Sequence, residues 1–278
     1  MGQKTSQDMQ LKSKFFNSIL TVLIVSSLYF SVVQAAKYTM VIEPTYPIEQ
    51  GKQVYEPLRK WLSKKTGHDL EIVIDKNYFS YWRNSIGKRA PDFAFDAPHI
   101  AAYRINKKDY RPLASTLEPS TFHLISLDVP FENETVDQFM VGKKVIMIPN
   151  PSLASVFFNQ WFTDLFASPS KIVTALSWQD AVELVFDGAA DAAIVPEWML
   201  NLYPNFESLK KSDSLPGPTF LASPNVPRDV AEAFQAALIS LIDDEEAYDV
   251  LVELNTQGFQ APTAAEYEPL LGLLPGGA

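Results

Sequence analysis

The sequence predicts an α/β protein of two lobes, each a mostly parallel sheet flanked by helices, with a ligand cleft between the lobes. Two observations lead to this fold class. Short apolar strand patterns alternate with amphipathic helix patterns over residues 38–105 and again over 143–203, which is typical of parallel sheets. Irregular stretches at 121–135 and 212–227 interrupt the alternation, so we expect them to cross between the lobes.

The first series supplies strands and helices for lobe one. The strands are predicted in "YTMVIE", "DLEIVID" and "DFAFDA", at 38–43, 69–75 and 92–97. The helices are predicted at 51–67, 78–87 and 98–105. In the first helix, Val54, Leu58, Trp61 and Leu62 share one face, and Gly67 is suited to end the helix.

The second series repeats the pattern, and the tail does not. Strands are predicted in "KKVIMI", "KIVTALS" and "ADAAIV", and helices in "SLASVFFNQWFTDLF", "WQDAVELVFDG" and "PEWMLNLY". After Pro227 only helices are predicted, so we expect the tail to pack back on lobe one. The predicted division is a leader at 1–35, lobe one at 36–120 and 223–278, and lobe two at 121–222.

The first residues have the pattern of an export signal. Lys4, Lys12 and Lys14 precede the apolar run "FFNSILTVLIVSSLYFSVV", which ends in the small-x-small site 33–35. We expect cleavage after Ala35 and a periplasmic protein with no stable membrane insertion. The alternative is an uncleaved anchor, because the run is nearly long enough to span a bilayer.

Composition excludes several classes of protein. The formal net charge is −10, and removal of three lysines and one aspartate with the leader makes it −12. Such an acidic protein is a poor partner for nucleic acid. Because the chain has no cysteine, disulfides, thiolate metal sites, a cysteine nucleophile and a lipoprotein anchor are excluded.

Catalytic signatures are also missing from the sequence. It contains no G-x-S-x-G, H-E-x-x-H, P-loop or G-x-G-x-x-G motif, so we expect no enzyme, cofactor or metal. Asp92 and Asp96 flank one strand and are a candidate carboxylate pair for metal or acid–base chemistry. The alternative is that Asp92 begins the strand and Asp96 caps the next helix.

Four aromatic residues lie at junctions between elements, where the cleft is predicted: Tyr46, Phe95, Trp178 and Trp198. Binding sites are typically apolar with a few polar groups, so these residues are candidates to line a pocket. His99 and His123 lie near the same strand ends and are candidates for ligand contact.

The order of segments resembles the periplasmic solute-binding proteins of phosphate, phosphite and phosphonate ABC transporters. The resemblance rests on "YTMVIEPTYPIEQ", "DFAFDAPHIAAYRI", "VGKKVIMIPNPSLAS" and "WQDAVELVFDGAADAAIV", and it spans nearly all of residues 38–272. It implies a two-lobe periplasmic binding protein fold of type II that closes on a small ligand. It also implies delivery to an ATP-driven transporter without catalysis, and we expect a monomer.

The resemblance places the family's aromatic after strand one at Tyr46. Its strand end falls on 92–98, followed by His99 where an aromatic residue is usual. Trp178 stands where the family has a histidine before the next helix. One polar contact of the family would therefore be apolar here.

The family's anion-binding turn falls on residues 150–156. Leu153 and Ala154 replace its Ser-Thr pair, and only Ser152 and Ser155 remain as hydroxyl donors. A buried anion left underpaired costs about 1–3 kcal/mol for each lost hydrogen bond, and each 1.4 kcal/mol is about tenfold in affinity. The turn therefore predicts a pocket that is more apolar than the family's.

The first hypothesis is an exported binding protein for a small organic ligand with a substantial apolar part, which it delivers to a membrane permease or a sensor receptor. The predicted lining is Tyr46, Phe95, His99, Ser152, Leu153, Ala154, Ser155 and Trp178. One alternative keeps a phosphonate, phosphite or phosphate anion as the ligand. Another is a periplasmic carrier of lipid or another hydrophobe.

Overall fold

The computed structural model describes residues 36–88, 90–164 and 166–274, and the predicted leader at 1–35 lies outside them. Two sheets, each flanked by helices, make up the chain from Lys37 onward. Within the described residues, no helix combines the length and the apolar character needed to cross a bilayer.

The first sheet gathers strands from both ends of the chain. They are β1 (Lys37–Ile42), β2 (Asp69–Ile74), β3 (Phe93–Asp96), β4 (Arg111–Thr116), β10 (Thr219–Ala222) and β11 (Phe259–Gln260). Their order across the sheet is β11-β4-β10-β3-β1-β2. The helices on this sheet are α1 (Ile48–Thr66), α2 (Tyr78–Ile86), α3 (Pro98–Lys108), α8 (Arg228–Ser240) and α9 (Tyr248–Glu253).

The second sheet is built from one continuous part of the chain. Its strands are β5 (Phe122–Ser126), β6 (Lys144–Ile146), β7 (Ser170–Ile172), β8 (Ala192–Pro196) and β9 (Glu207–Lys211), in the order β7-β6-β8-β5-β9. Its helices are α4 (Val136–Met140), α5 (Leu153–Trp161), α6 (Trp178–Phe186) and α7 (Glu197–Leu202).

Two hydrophobic clusters hold these layers together. One lies within the first lobe, where the fully buried Met40, Leu58, Phe220 and Phe234 join the sheet to α1 and α8. The predicted apolar face of α1 is buried here, and Gly67 ends the helix in the left-handed conformation with φ of 73°. The other cluster begins at α3 and continues into the core of the second lobe.

The predicted two-lobe α/β fold is confirmed, and both sheets are mixed. β1 pairs in parallel with β2 and β3, and β6 pairs in parallel with β7 and β8. These are the strands that the alternation predicted. The strands added from the crossover segments and the tail, such as β10 and β5, pair antiparallel.

The irregular segments and the tail contain strands that the sequence pattern did not predict. β5 and β10 lie within the stretches interpreted as crossovers, and the tail, predicted to be only helical, contributes β11. The last tail segment forms short 3-10 turns at Ala264–Glu266 and Glu268–Leu273 in place of the predicted helix. Because β10 pairs with β3 and β4, the sheets place residues 219–222 with lobe one, although the predicted boundary put them in lobe two.

Two segments pass between the sheets, and they run side by side. One joins β4 to β5, and the other joins β9 to β10. Ser120 and Leu215 exchange backbone hydrogen bonds of 2.9 and 3.0 Å, and the hydroxyls of Thr121 and Ser214 lie 3.2 Å apart. The two crossovers therefore form one paired hinge.

Gly217 in the second crossover lies directly against the first. A Cβ atom there would be 2.1 Å from Oγ1 of Thr116, 2.7 Å from its carbonyl oxygen and 2.5 Å from the carbonyl oxygen of Glu118. Backbone atoms cannot move aside as a flexible side chain can. Glycine is therefore required at this position for the crossovers to approach so closely.

We predict that Gly217→Ala lowers the free energy of unfolding by about 2–3 kcal/mol, because the added methyl group forces the crossovers apart. Gly272→Ala is the matched control, since no atom of the described residues lies within 4 Å of a Cβ at Gly272. Its effect should stay within about 1 kcal/mol. Urea unfolding of both variants measures the difference, and equal effects would contradict the close contact.

Candidate functional site

A cavity of about 300 Å³ lies between the two lobes, above the paired crossovers. This volume is at the lower end of the range of about 300–1,000 Å³ for small-molecule sites. Residues from both sheets and from the hinge line it: Glu43, Thr45, Tyr46, Val54, Tyr55, Phe95, Asp96, Ala97, Thr116, Glu118, Pro119, Ser120, Thr121, Phe122, Leu153, Trp178, Pro196, Glu197, Trp198, Asn201, Pro218, Glu253, Leu254 and Asn255.

The first lobe contributes an aromatic wall. Tyr46 follows β1, Tyr55 lies on α1, and Phe95 is in β3. The rings of Tyr46 and Tyr55 are 6.4 Å apart, those of Tyr55 and Phe95 are 6.3 Å apart, and both pairs meet edge to face. This arrangement is favourable for aromatic pairs, and all three residues line the cavity.

The second lobe contributes the opposite apolar wall. The rings of Phe122 and Trp178 meet edge to face at 5.5 Å, and Leu153 lies in the same wall. Trp178 is the first residue of α6, where the hydroxyl of Ser177 caps the helix by accepting from the N–H of Asp180 at 3.0 Å. Helix capping thus fixes the indole at the cavity.

Glu43 places a carboxyl group at the end of β1. One oxygen accepts a hydrogen bond from the hydroxyl of Tyr78, and the other accepts from the backbone N–H of Ala97 at 3.0 Å. Burial raises the pKa of Glu43 to about 7, with Asp96 adding to the increase, against the hydrogen bonds from Tyr78 and Ala97. Near neutral pH, Glu43 is therefore present in both its protonated and its ionised form.

Asp96, at the end of β3, lines the cavity and forms a buried ion pair with Arg104. Its carboxylate accepts from Nε of Arg104 at 2.5 Å and from the hydroxyl of Tyr81 at 2.6 Å. Arg104 donates a further hydrogen bond to Ser85 at 2.9 Å. Both members of the ion pair are almost fully buried, so the charge of Asp96 is compensated from within the protein.

Asp92 belongs to a different set of contacts. Its Oδ2 accepts from the backbone N–H and the hydroxyl of Thr39 at 2.8 and 2.9 Å. It fixes the start of β3, as the alternative interpretation predicted, while Ala97 rather than Asp96 occupies the cap position of α3. Across the described residues, no group of three or more His, Asp or Glu side chains could hold a metal ion.

Three further carboxylates border the cavity. Glu197 forms an ion pair of 2.8 Å with Lys211, and Glu118 accepts hydrogen bonds from Thr256 and from the backbone N–H of Gln257. The exposed carboxylate of Glu253 has no hydrogen bond or ion pair among the described residues. None of the described residues that line the cavity is Lys, Arg or His.

The two serines at the start of α5 are buried in the protein and do not line the cavity. The hydroxyl of Ser152 donates to the carbonyl oxygen of Ile148 at 2.6 Å and accepts from the N–H of Ser155 at 3.2 Å, so Ser152 is the helix cap. Ser155 is fully buried, and its hydroxyl has no hydrogen-bond partner among the described residues. Neither serine borders the cavity, whereas Leu153 does.

His99 also lies outside the cavity. It is fully buried on α3, and its Nε2–H donates to the carbonyl oxygen of Pro151 at 2.6 Å, because a carbonyl can only accept. Pro151 belongs to the second lobe, so this bond joins the lobes directly. Nδ1 has no partner among the described residues, and burial lowers the pKa of His99 to about 4.

The structure thus brings four of the predicted site residues to one cavity: Tyr46, Phe95, Leu153 and Trp178. The other four are fully buried and do not line the cavity: His99, Ser152, Ala154 and Ser155. Trp198 lines the cavity, while His123 lies in β5 with its Nδ1 at 2.7 Å from the hydroxyl of Ser208.

Sequence reasoning missed the acidic and tail-derived parts of the site. Glu43 directly follows a parallel strand, and that position alone could have marked it, since ligands bind at the carboxyl ends of such strands. Tyr55 lies within the helix pattern and was not distinguished from core residues. Glu253 comes from a tail helix that no local pattern connects to the cleft.

Comparison with known proteins identifies the family. The periplasmic substrate-binding proteins of phosphonate ABC transporters match residues 40–267 of the chain. The chain belongs to this family, as the order of its segments predicted, and the family is one of binding proteins rather than enzymes. A search of curated proteins gave no match.

Solved structures show the same fold at low sequence identity. PhnD1 from Prochlorococcus marinus, in complex with methylphosphonate, has a TM-score of 0.72 at 13% identity, over 85% of this chain and 96% of that one. A binding protein of an ABC phosphonate transporter from Pseudomonas aeruginosa has a TM-score of 0.70 at 15% identity, over 86% of each chain. A protein from Xanthomonas citri bound to ATP has a TM-score of 0.65 at 12% identity, over 86% of this chain and 96% of that one.

The buried His99 predicts a specific sensitivity to acid. Its pKa of about 4 in the folded protein is below the ordinary 6.5, so the folded state binds fewer protons. The neutral, buried histidine therefore contributes to the free energy of unfolding above pH 6.5. This contribution falls by about 3 kcal/mol as the pH decreases toward 4. Glu43 has the opposite effect on the pH dependence of stability. Because its pKa is raised to about 7 in the folded protein, the free energy of unfolding falls as the pH rises through 7.

The variant His99→Gln isolates the histidine, because the amide of glutamine can still donate to Pro151 and does not titrate. Urea unfolding at pH 7, 6, 5 and 4 should show the wild type losing about 3 kcal/mol more than the variant between pH 7 and 4. Parallel stability curves for the two proteins would contradict a neutral, buried His99.

Proposed function

We propose that this protein captures a small organic ligand with a substantial apolar part in the cavity between its lobes and delivers it to a membrane transporter. Membership of the family of periplasmic substrate-binding proteins supports the carrier role and the ABC permease as partner. The ligand itself is inferred from the site, because similarity at 12–15% identity concerns the fold alone.

The two aromatic walls are the observation that carries this proposal. Tyr46, Tyr55 and Phe95 face Phe122 and Trp178 across a cavity of about 300 Å³. Such rings bind apolar surface and stack on flat groups. The site would bind through contact area, with a few polar atoms to orient the ligand.

The turn at 149–155 supports an apolar ligand in a second way. The hydroxyl of Ser152 is already engaged as a helix cap, and Leu153 stands at the cavity. A tetrahedral anion would find a leucine side chain in place of hydroxyl donors there. Loss of such donors costs about 1–3 kcal/mol each for a buried group.

A phosphonate, phosphite or phosphate anion remains the second candidate. It is favoured by Leu153 and Trp178, the first residues of α5 and α6, since helix N-termini attract anions. A lipid carrier has less support, because about 300 Å³ is small for a lipid.

We further infer that residues 1–35 direct export with cleavage after Ala35 and that the mature protein acts as a monomer. Lobe one would comprise 36–120 and the tail, with the boundary moved from 223 to 219 because β10 pairs with β3 and β4. The basic residues and apolar run of the leader support export. Ligand binding would close the lobes about the paired crossovers and present a new surface to the permease or a sensor receptor.

A thermal-shift comparison tests the ligand class. We expect methylphosphonate, phosphite and phosphate to leave the melting temperature unchanged, and small aromatic amphipathic compounds such as benzylamine to raise it. A ligand at a hundred times its dissociation constant adds about 2.7 kcal/mol of stability. A shift with methylphosphonate alone would reject the proposal in favour of the anion.

Tyr46→Ala should weaken binding of the stabilising compound by about tenfold, because it removes one ring of the aromatic wall. Tyr248→Ala is the matched control, since Tyr248 is 69% exposed and lies outside the cavity. Titration calorimetry gives both dissociation constants. Equal constants for the two variants would place the ligand elsewhere.

A further inference from the structure

We propose that the ligand is a small organic cation, with a substituted ammonium group held between the aromatic rings and the carboxylates of the cavity. This inference rests on the proposed function, because it assigns a charge to the ligand of the same site. It depends on the aromatic residues that line the cavity and on the acidic residues that line it with them, and these are two separate observations.

The aromatic walls have the composition of a cation site. The face of an aromatic ring carries negative electrostatic potential, so an ammonium group among several rings is attracted to them. Tyr46, Tyr55 and Phe95 supply rings from one lobe, and Trp178 and Trp198 from the other. A cation between them would contact both lobes at once and so favour closure.

The charges around the cavity act in the same direction. Every ionisable side chain among its described lining residues, apart from tyrosine, is a carboxylate. Arg104 compensates Asp96 and Lys211 compensates Glu197, whereas Glu43, Glu118 and Glu253 have no cationic partner among the residues that the structure describes. A ligand cation would supply the missing positive charge.

The helix N-termini do not reverse this balance. The starts of α5 and α6 each contribute about half a positive charge. Opposite them are the carboxyl groups of Glu43, Glu118 and Glu253, none of which has a cationic partner among the described residues. These three acidic groups outnumber the two helix starts, which favours a cation over an anion as the ligand.

Glu43 makes the proposed binding depend on pH. The groups that face it are Tyr78 from α2, Tyr55 from α1 and Asp96 from β3, which is paired with Arg104. Burial keeps both tyrosines neutral, so Glu43 is the group that titrates near pH 7. A bound cation stabilises its ionised form, so affinity should rise with pH.

The test compares choline with 3,3-dimethylbutan-1-ol, which has the same shape and a carbon atom in place of the charged nitrogen. Tetramethylammonium and methylphosphonate complete the set, and the protein is produced from the full 278-residue sequence. We expect choline or tetramethylammonium to bind at least tenfold more tightly than the neutral alcohol, and methylphosphonate not to bind.

The outcomes separate this inference from the proposed function. Equal binding of choline and the alcohol, or binding of neutral aromatic compounds without either cation, would overturn the cation and leave an apolar ligand standing. Binding of methylphosphonate in place of the cations would overturn both. Preferential binding of a cation supports both.

Two variants locate the charge. Glu253→Gln should weaken binding of the cation by about threefold to tenfold and leave binding of the neutral alcohol unchanged. Glu232, which pairs with Arg228 on α8, is the control, because Glu232→Gln should change neither affinity. The affinity of the wild type for choline should rise severalfold between pH 6 and 8, and Glu43→Gln should remove most of that rise. A pH profile that is the same in both proteins would exclude Glu43 from the site.

Discussion

The contact between the two crossover segments is the constraint on which the site depends. The segments are joined by backbone hydrogen bonds between Ser120 and Leu215, and Gly217 allows the close approach. Glu118 and Pro218 belong to the same segments and, with Thr116 at the end of β4, form part of the cavity lining. The segments that join the lobes are therefore also part of the cavity wall, so a ligand in the cavity would contact the element about which the lobes would move.

The parallel part of the fold and the apolar part of the site could be predicted from the sequence. The alternation of strand and helix located β1, β3 and β8, and the ends of those strands led to Tyr46 and Phe95. The antiparallel strands could not be found in this way, because β10 and β11 are short and gain their partners from distant parts of the chain. Ser152 shows a further limit, since a serine at a helix start serves equally as a cap or as a ligand donor.

The charges around the cavity could not be predicted from the sequence for a related reason. Glu43, Glu118 and Glu253 are unremarkable in the sequence, and only the tertiary fold places them around one cavity. Asp96 and Glu197 have cationic partners, whereas these three have none within the described part of the chain. The family fold therefore leaves the charge of the site to a few side chains at strand and helix ends.

The hydrogen bond from His99 to Pro151 bears on the equilibrium between arrangements of the two lobes. It joins the lobes through protein atoms alone, so an arrangement that keeps this bond is stabilised whether or not the cavity is filled. A ligand changes the populations of such arrangements only by the difference between its affinities for them. The bond from His99 therefore contributes to the baseline equilibrium on which any ligand acts.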